Sequence, residues 1–208
     1  MVKSHQKLFF IGLSLAHAAT DETGIAIINN DLQIIRIDKA YKLNDIKFFL
    51  NNLSGKNASI IAADIPLNQL FLIGKWRQEL KHYKPLTIGN HTQSTQEWAK
   101  RQSTRGSEFC AELVEEGYEV IRYNYMYSKT AMGLCTPLQE NSPMACKYLQ
   151  ERIKEKLGIE GFSNNMLSMP ALKAIIGAYI AWQTHYGTID QDYRQITEFE
   201  NLPVYSGI

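Results

Sequence analysis

The chain lacks an excess of charge of either sign: 22 Lys and Arg against 21 Asp and Glu leave a net charge of +1. A surface that binds polyanions all over is therefore excluded, and any nucleic-acid contact must be local. Cysteine is scarce. Cys110, Cys135 and Cys146 are odd in number and lack metal-type spacing, which fits a reduced, cytoplasmic compartment rather than a disulfide framework. The five histidines form no pair at helical ligand spacing, so a dedicated zinc site is not expected. No apolar run approaches the ~20 residues that span a bilayer. A glycine-rich phosphate loop, an internal repeat, a low-complexity tract and a dividing linker are also missing. What remains is an ordinary globular composition, 45% apolar over 208 residues, sufficient for one core. The expected organisation is a single domain over 1–208 with an insertion at about 68–104.

The most informative stretch is Ser59-Ile60-Ile61-Ala62-Ala63-Asp64-Ile65-Pro66-Leu67. Small and apolar residues run without alternation into one carboxylate, as in a strand covered on both faces. Pro66 has no N–H for a sheet ladder, so the strand must stop near Asp64. A carboxylate at the end of a buried central strand lies where open α/β sheets place their ligands. The plainer alternative is that Asp64 caps the following turn.

Around it, Lys7 to Leu15 reads as a first strand. Lys3, Lys7 and Ala16-His17-Ala18 also loosely imitate a signal peptide, but the apolar segment is short for one. Ile25 to Ile28 and Leu32 to Ile37 read as two more strands, joined through Asn29-Asn30-Asp31, residues that tolerate positive φ. Asn44 is placed to cap a helix through Leu53 that stops at Gly55, with Ile46, Phe49, Leu50 and Leu53 on one face. A crossover through that helix returns parallel, which sets the Asp64 strand beside the first. Further on, the pattern predicts helices over 69–83 and 105–116, the second ended by Gly117. It also predicts a strand over 120–127 with Ile121, Tyr123, Tyr125 and Tyr127 alternating. Ser142-Pro143 starts a helix to Leu157 with Gly158 as the stop. A last helix runs from about Ala171 to Tyr186, with Ala174, Ala178 and Ala181 allowing a close neighbour.

Between Lys75 and Arg105 the chain carries seven basic residues against Glu79 and Glu97, with Trp76, Tyr83 and Trp98 interleaved. Basic residues with aromatics between them suit phosphate contact with base stacking. A solvated helix whose aromatics point into the core explains the same pattern.

Three antiparallel strands, a helix, an acid-bearing central strand and further helices make up the ribonuclease H-like order. Four local motifs narrow the resemblance. Ile11-Gly12-Leu13, Asp64-Ile65-Pro66-Leu67, Arg105-Gly106-Ser107-Glu108 and the helix around Ala174 to Ala181 resemble the ribonuclease H-like group known as domain of unknown function family 429. Its members are often labelled predicted nucleases. The resemblance implies an α/β fold with a ribonuclease H-like mixed sheet, three antiparallel strands and then parallel ones, flanked by helices. It also implies metal-dependent chemistry, in which two ions roughly 4 Å apart activate water and stabilise the leaving oxygen of a phosphodiester.

The resemblance implies one acid on the first strand, one on the central strand and one on the last helix. Here the first position is Ser14 and the last is Lys173, so only Asp64 keeps a carboxylate. Mg2+ or Mn2+ would be weakly held, with Asp64 and Glu108 as the candidate ligands and Glu112 one turn further on. The candidate catalytic set is Asp64, Glu108, Lys173 and Ser14. Arg101, Arg105 and Lys173 are the candidate ligand-binding residues.

Two functions compete. One is a diverged, non-catalytic relative that binds nucleic acid or a phosphate-bearing small molecule. The other is an active metal-dependent phosphodiester hydrolase using Asp64 and Glu108. A third, weaker option is a sugar- or acetate-kinase-like phosphotransferase, against which the chain is too short for two such units and lacks a glycine-rich phosphate loop.

Overall fold

The computed structural model describes residues 8–16, 18–53, 59–64, 106, 108–186, 193–199 and 202–207. Its strands are β1 (Phe9–Ser14), β2 (Thr23–Ile28), β3 (Ile34–Ala40), β4 (Ser59–Asp64), β5 (Glu119–Tyr123), β6 (Tyr193–Phe199) and β7 (Leu202–Gly207). The helices are α1 (Leu43–Asn51), α2 (108–115), α3 (Tyr125–Ala131), α4 (Pro143–Leu157) and α5 (Met169–Tyr186). One sheet takes the order β3-β2-β1-β4-β5-β7-β6. β1, β2 and β3 are antiparallel neighbours, β4 and β5 lie parallel to β1, and β7 is parallel to β5. This is the ribonuclease H-like sheet, extended at one edge by the β6–β7 hairpin.

Alternation along each strand divides the core into two layers. Phe10, Ala26, Ile28, Ile60, Ala62, Ile121 and Tyr123 face α4 and α5. Ile11, Leu13, Ile25, Ile27, Ile61, Ala63 and Val120 face α1 and α2, where they meet Ile46, Leu50, Phe109 and Leu113. Both faces of β1, β2 and β4 are covered, which is why these strands carry apolar runs without alternation.

Helix α5 crosses the sheet at unusually short range. A Cβ added at Gly12 would lie 1.8 Å from the Ala174 carbonyl oxygen and 2.4 Å from the Ala178 nitrogen. One at Gly177 would lie 2.7 Å from the Tyr123 ring. The small residues expected to permit a close neighbour on this helix therefore meet a glycine on β1.

The boundaries differ from expectation in four places. Helix α1 begins after Lys42, which makes no side-chain cap, so Asn44 lies inside its first turn. The β2–β3 turn is tied by the Asn29 side chain, which accepts from the backbone N–H of Asp31 (3.0 Å) and Gln33 (2.9 Å). The positive φ then falls on Leu32, at 57°. Strand β5 ends at Tyr123 rather than 127, because the Tyr125 N–H turns to the Asp64 carboxylate and Ser128 N–H bonds Asn124 O to open α3. The β6–β7 hairpin has no counterpart in the sequence reading. Helix α4 starts and stops as its residues dictate: Ser142 Oγ accepts from Ala145 N–H, and Gly158 adopts φ 65°. The expected helix over 69–83, the 68–104 insertion and the Gly55 stop lie outside the described residues, as does Pro66.

Candidate functional site

The site forms at the C-terminal edge of β1, β4 and β5. Ser14 and Asp64 are register partners on parallel strands, and Asp64 is in turn the partner of Tyr123. Neighbouring strands lie about 4.8 Å apart, and the alternation that puts Ala62 and Tyr123 on the α5 face puts Ser14 and Asp64 there too. Ser14 is buried and Asp64 partly exposed.

Lys173 arrives from the first turns of α5. Ser168 starts this helix: its carbonyl accepts from Leu172 N–H at 3.0 Å, and its hydroxyl donates to Glu22 in the β1–β2 turn. The Tyr123 hydroxyl donates to the Lys173 backbone carbonyl at 2.7 Å. That bond fixes the α5 backbone over β5. The Lys173 ammonium stands 4.5 Å from the centroid of the Tyr125 ring, close enough to Asp64 for its charge to act on that carboxyl. Ser14, Asp64 and Lys173 are thus gathered at one place.

Three residues that sequence reasoning did not single out complete the cluster. Tyr125, at the start of α3, donates its backbone N–H to Asp64 Oδ1 at 3.2 Å. Lys129, one turn along, holds its ammonium 5.0 Å from the same tyrosine ring and 2.7 Å from Glu140 Oε1. The Tyr125 hydroxyl donates to the Met169 sulfur at 3.7 Å, and the Glu140 carboxylate is near enough to act on it. Tyr125 is therefore flanked by two ammoniums and engaged by two carboxylates.

The electrostatics follow from this arrangement. Burial pushes the Asp64 carboxyl above the usual carboxylate range, and Glu140 adds to the push. Lys173 and the Tyr125 amide pull the other way without cancelling it. Burial also acts upward on Glu140, and the hydrogen bond and charge of Lys129 act against it. With Lys173 and Tyr125 adding to their effect, Glu140 lies below its ordinary value. Burial, followed by the Glu140 charge, drives the Tyr125 phenol far upward, so it acts as a donor and not as a phenolate.

The remaining candidates are placed elsewhere or fall outside the described residues. Glu108 is exposed at the start of α2, whose Phe109, Cys110 and Leu113 pack on the other face of the sheet from Asp64. Glu112 is taken by an ion pair with Lys47 on α1. Arg101, Arg105 and the basic, aromatic-rich segment lie outside the described residues.

A magnesium-type ion needs several hard oxygens converging on one point. Among the described residues no group of three or more His, Cys, Asp or Glu gathers in that way. At the two positions flanking Asp64 the chain offers a hydroxyl and an ammonium. Among the described residues the donor set does not fit a two-metal centre.

No family model matches the chain, and no curated protein does. Among solved structures it is similar to T. thermophilus RuvC in complex with a Holliday junction substrate, at 10% identity and a TM-score of 0.48. That match covers 87% of this chain and 98% of the other. Among the described residues no helix is long and apolar enough to cross a membrane.

Proposed function

We propose that this chain is a diverged ribonuclease H-like protein whose cleft binds a phosphate-bearing group through Lys173 and does not cleave phosphodiesters by a two-metal route. The observation that carries the reading is the position of the Lys173 ammonium. It stands beside Asp64 at the ligand-bearing edge of the sheet, and among the described residues its side chain has no ion-pair or hydrogen-bond partner. An ammonium brought by α5 to this edge, with no ion pair or hydrogen bond among the described residues, suits an anion far better than a cation. The motif resemblance to domain of unknown function family 429 supports the narrower family placement, and on this reading residues 1–208 form one domain with an insertion at about 68–104. Arg101 and Arg105 would extend the anion surface, and the cell compartment would be cytoplasmic. The competing hydrolase reading pairs Asp64 with Glu108, which is exposed at the start of α2.

The test compares wild type with Lys173→Met against a single-stranded oligonucleotide, a mononucleotide and inorganic phosphate, by fluorescence anisotropy or calorimetry at low and moderate salt. Binding that falls with salt and weakens about tenfold in Lys173→Met (~1.4 kcal/mol) supports the reading. The three ligands separate a nucleic-acid partner from a small phosphate ligand. No binding of any of them at low salt overturns it.

A further inference from the structure

The Glu140 carboxylate sits where a bound anion would sit. It lies 2.7 Å from the Lys129 ammonium, and the Tyr125 hydroxyl and the Lys173 charge both act on it, the two ammoniums standing 5.0 and 4.5 Å from the centroid of the Tyr125 ring. Three groups that suit a phosphate oxygen therefore converge on one side chain of the protein itself. Lys129 is almost fully buried, its side chain 9% exposed, whereas that of Glu140 is 34% exposed. The cation is the buried partner of the pair and the carboxylate the one that reaches solvent.

The carrier of Glu140 differs from that of the cations. Lys129 and Lys173 project from helices α3 and α5, the second pinned by the Tyr123 hydroxyl. Glu140 comes from the short non-helical connection between α3 and α4. Gly133 and Asn141 there adopt left-handed φ values of 64° and 50°, and Ser142 N–H bonds back to Gln139 O at 3.1 Å. Because Glu140 is carried by this connection, its side chain can turn towards solvent without moving α3 or α5.

We infer that Lys129, Lys173 and the Tyr125 hydroxyl form an anion-binding site for a phosphate or pyrophosphate group, and that Glu140 is its built-in occupant, which an incoming ligand must displace. This deepens the proposed function and rests on its reading of Lys173. A desolvated ammonium without a counter-ion is costly, so an internal carboxylate keeps the empty site paired. The same carboxylate weakens binding, because the ligand must first break the Lys129–Glu140 contact. Glu140 is therefore a gate on affinity, and its removal should strengthen binding. A merely structural ion pair predicts the opposite sign.

The experiment measures inorganic pyrophosphate binding by calorimetry for wild type, Glu140→Gln, Glu140→Asp and Glu140→Gln with Lys129→Met. Glu140→Asp is one methylene too short to span to Lys129 and disturbs the loop least, so it serves if Glu140→Gln does not fold. We expect Glu140→Gln to bind pyrophosphate about tenfold more tightly than wild type, Glu140→Asp to move the same way, and the added Lys129→Met to abolish the gain. Unchanged or weaker binding in folded Glu140→Gln or Glu140→Asp overturns the inference. If wild type binds in a Lys173-dependent manner while those variants show no gain, the proposed function survives and the gate does not. If neither wild type nor any variant binds pyrophosphate, the inference falls, and the proposed function stands or falls with the oligonucleotide, mononucleotide and phosphate titrations.

Discussion

Gly12 on β1 lies directly against Ala174 on α5, so closely that any Cβ there would enter the Ala174 carbonyl. Lys173 is the residue before that contact, and Ser14 is two residues beyond Gly12 on the same strand. One packing contact thus sets how far the ammonium stands from the Ser14–Asp64 pair. Gly12→Ala should push α5 off the sheet. Against backbone atoms that have no rotamer to yield, overpacking costs about 3 kcal/mol or more. Chemical denaturation checks this, and phosphate binding should fall with it because Lys173 moves. A stability change within experimental error would mean that the contact is looser than described.

Asp64 carries a sign that can be checked. Burial raises its folded value above the ordinary carboxylate range. A group with a raised value contributes stability that is present in acid and lost as the pH rises through the folded value. Asp64→Asn has no such proton to lose. The Tm of Asp64→Asn relative to wild type should be near zero below the ordinary carboxylate range and positive at neutral pH. Glu140, held below its ordinary value by Lys129, runs the other way. Glu140→Gln should cost stability near neutral pH, and that cost should fade as the pH falls through the lowered value. Thermal melts across pH for the two variants should give differences of opposite slope.

The replaced acids can be returned. Ser14→Asp puts a second carboxylate beside Asp64 in register, and Lys173→Asp removes the ammonium facing them. The double variant should acquire Mn2+ binding detectable by electron paramagnetic resonance, where wild type shows none attributable to the cleft. A double variant that folds and binds no Mn2+ would show that something other than those two positions keeps metal out.

Much of the sheet is legible in the residues because burial on both faces writes itself as unbroken apolar runs, as in Ile25 to Ile28 and Ser59 to Ala63. Helix α4 is equally plain, since Ser142, Pro143 and Gly158 each fulfil a local backbone requirement. The end of β5 is not, because Tyr123, Tyr125 and Tyr127 keep a strand-like period while the chain has already turned into α3 at Asn124. The β6–β7 hairpin is diluted by Arg194, Gln195, Thr197 and Glu198, and Pro203 lies within β7. In the site, Ser14, Asp64 and Lys173 could be grouped through motif resemblance. Glu140 and Lys129 could not: their meeting with Tyr125 depends on how the α3–α4 connection folds back. The one local hint is an acid two residues before a capped helix start.

The most direct test is to titrate wild type with the single-stranded oligonucleotide and with pyrophosphate in chelator and again with Mn2+, while following cleavage of the oligonucleotide. At least one of the two should bind with the same affinity with and without metal, with no cleavage in either condition. Turnover that requires Mn2+ and disappears in Asp64→Asn would contradict the proposed function.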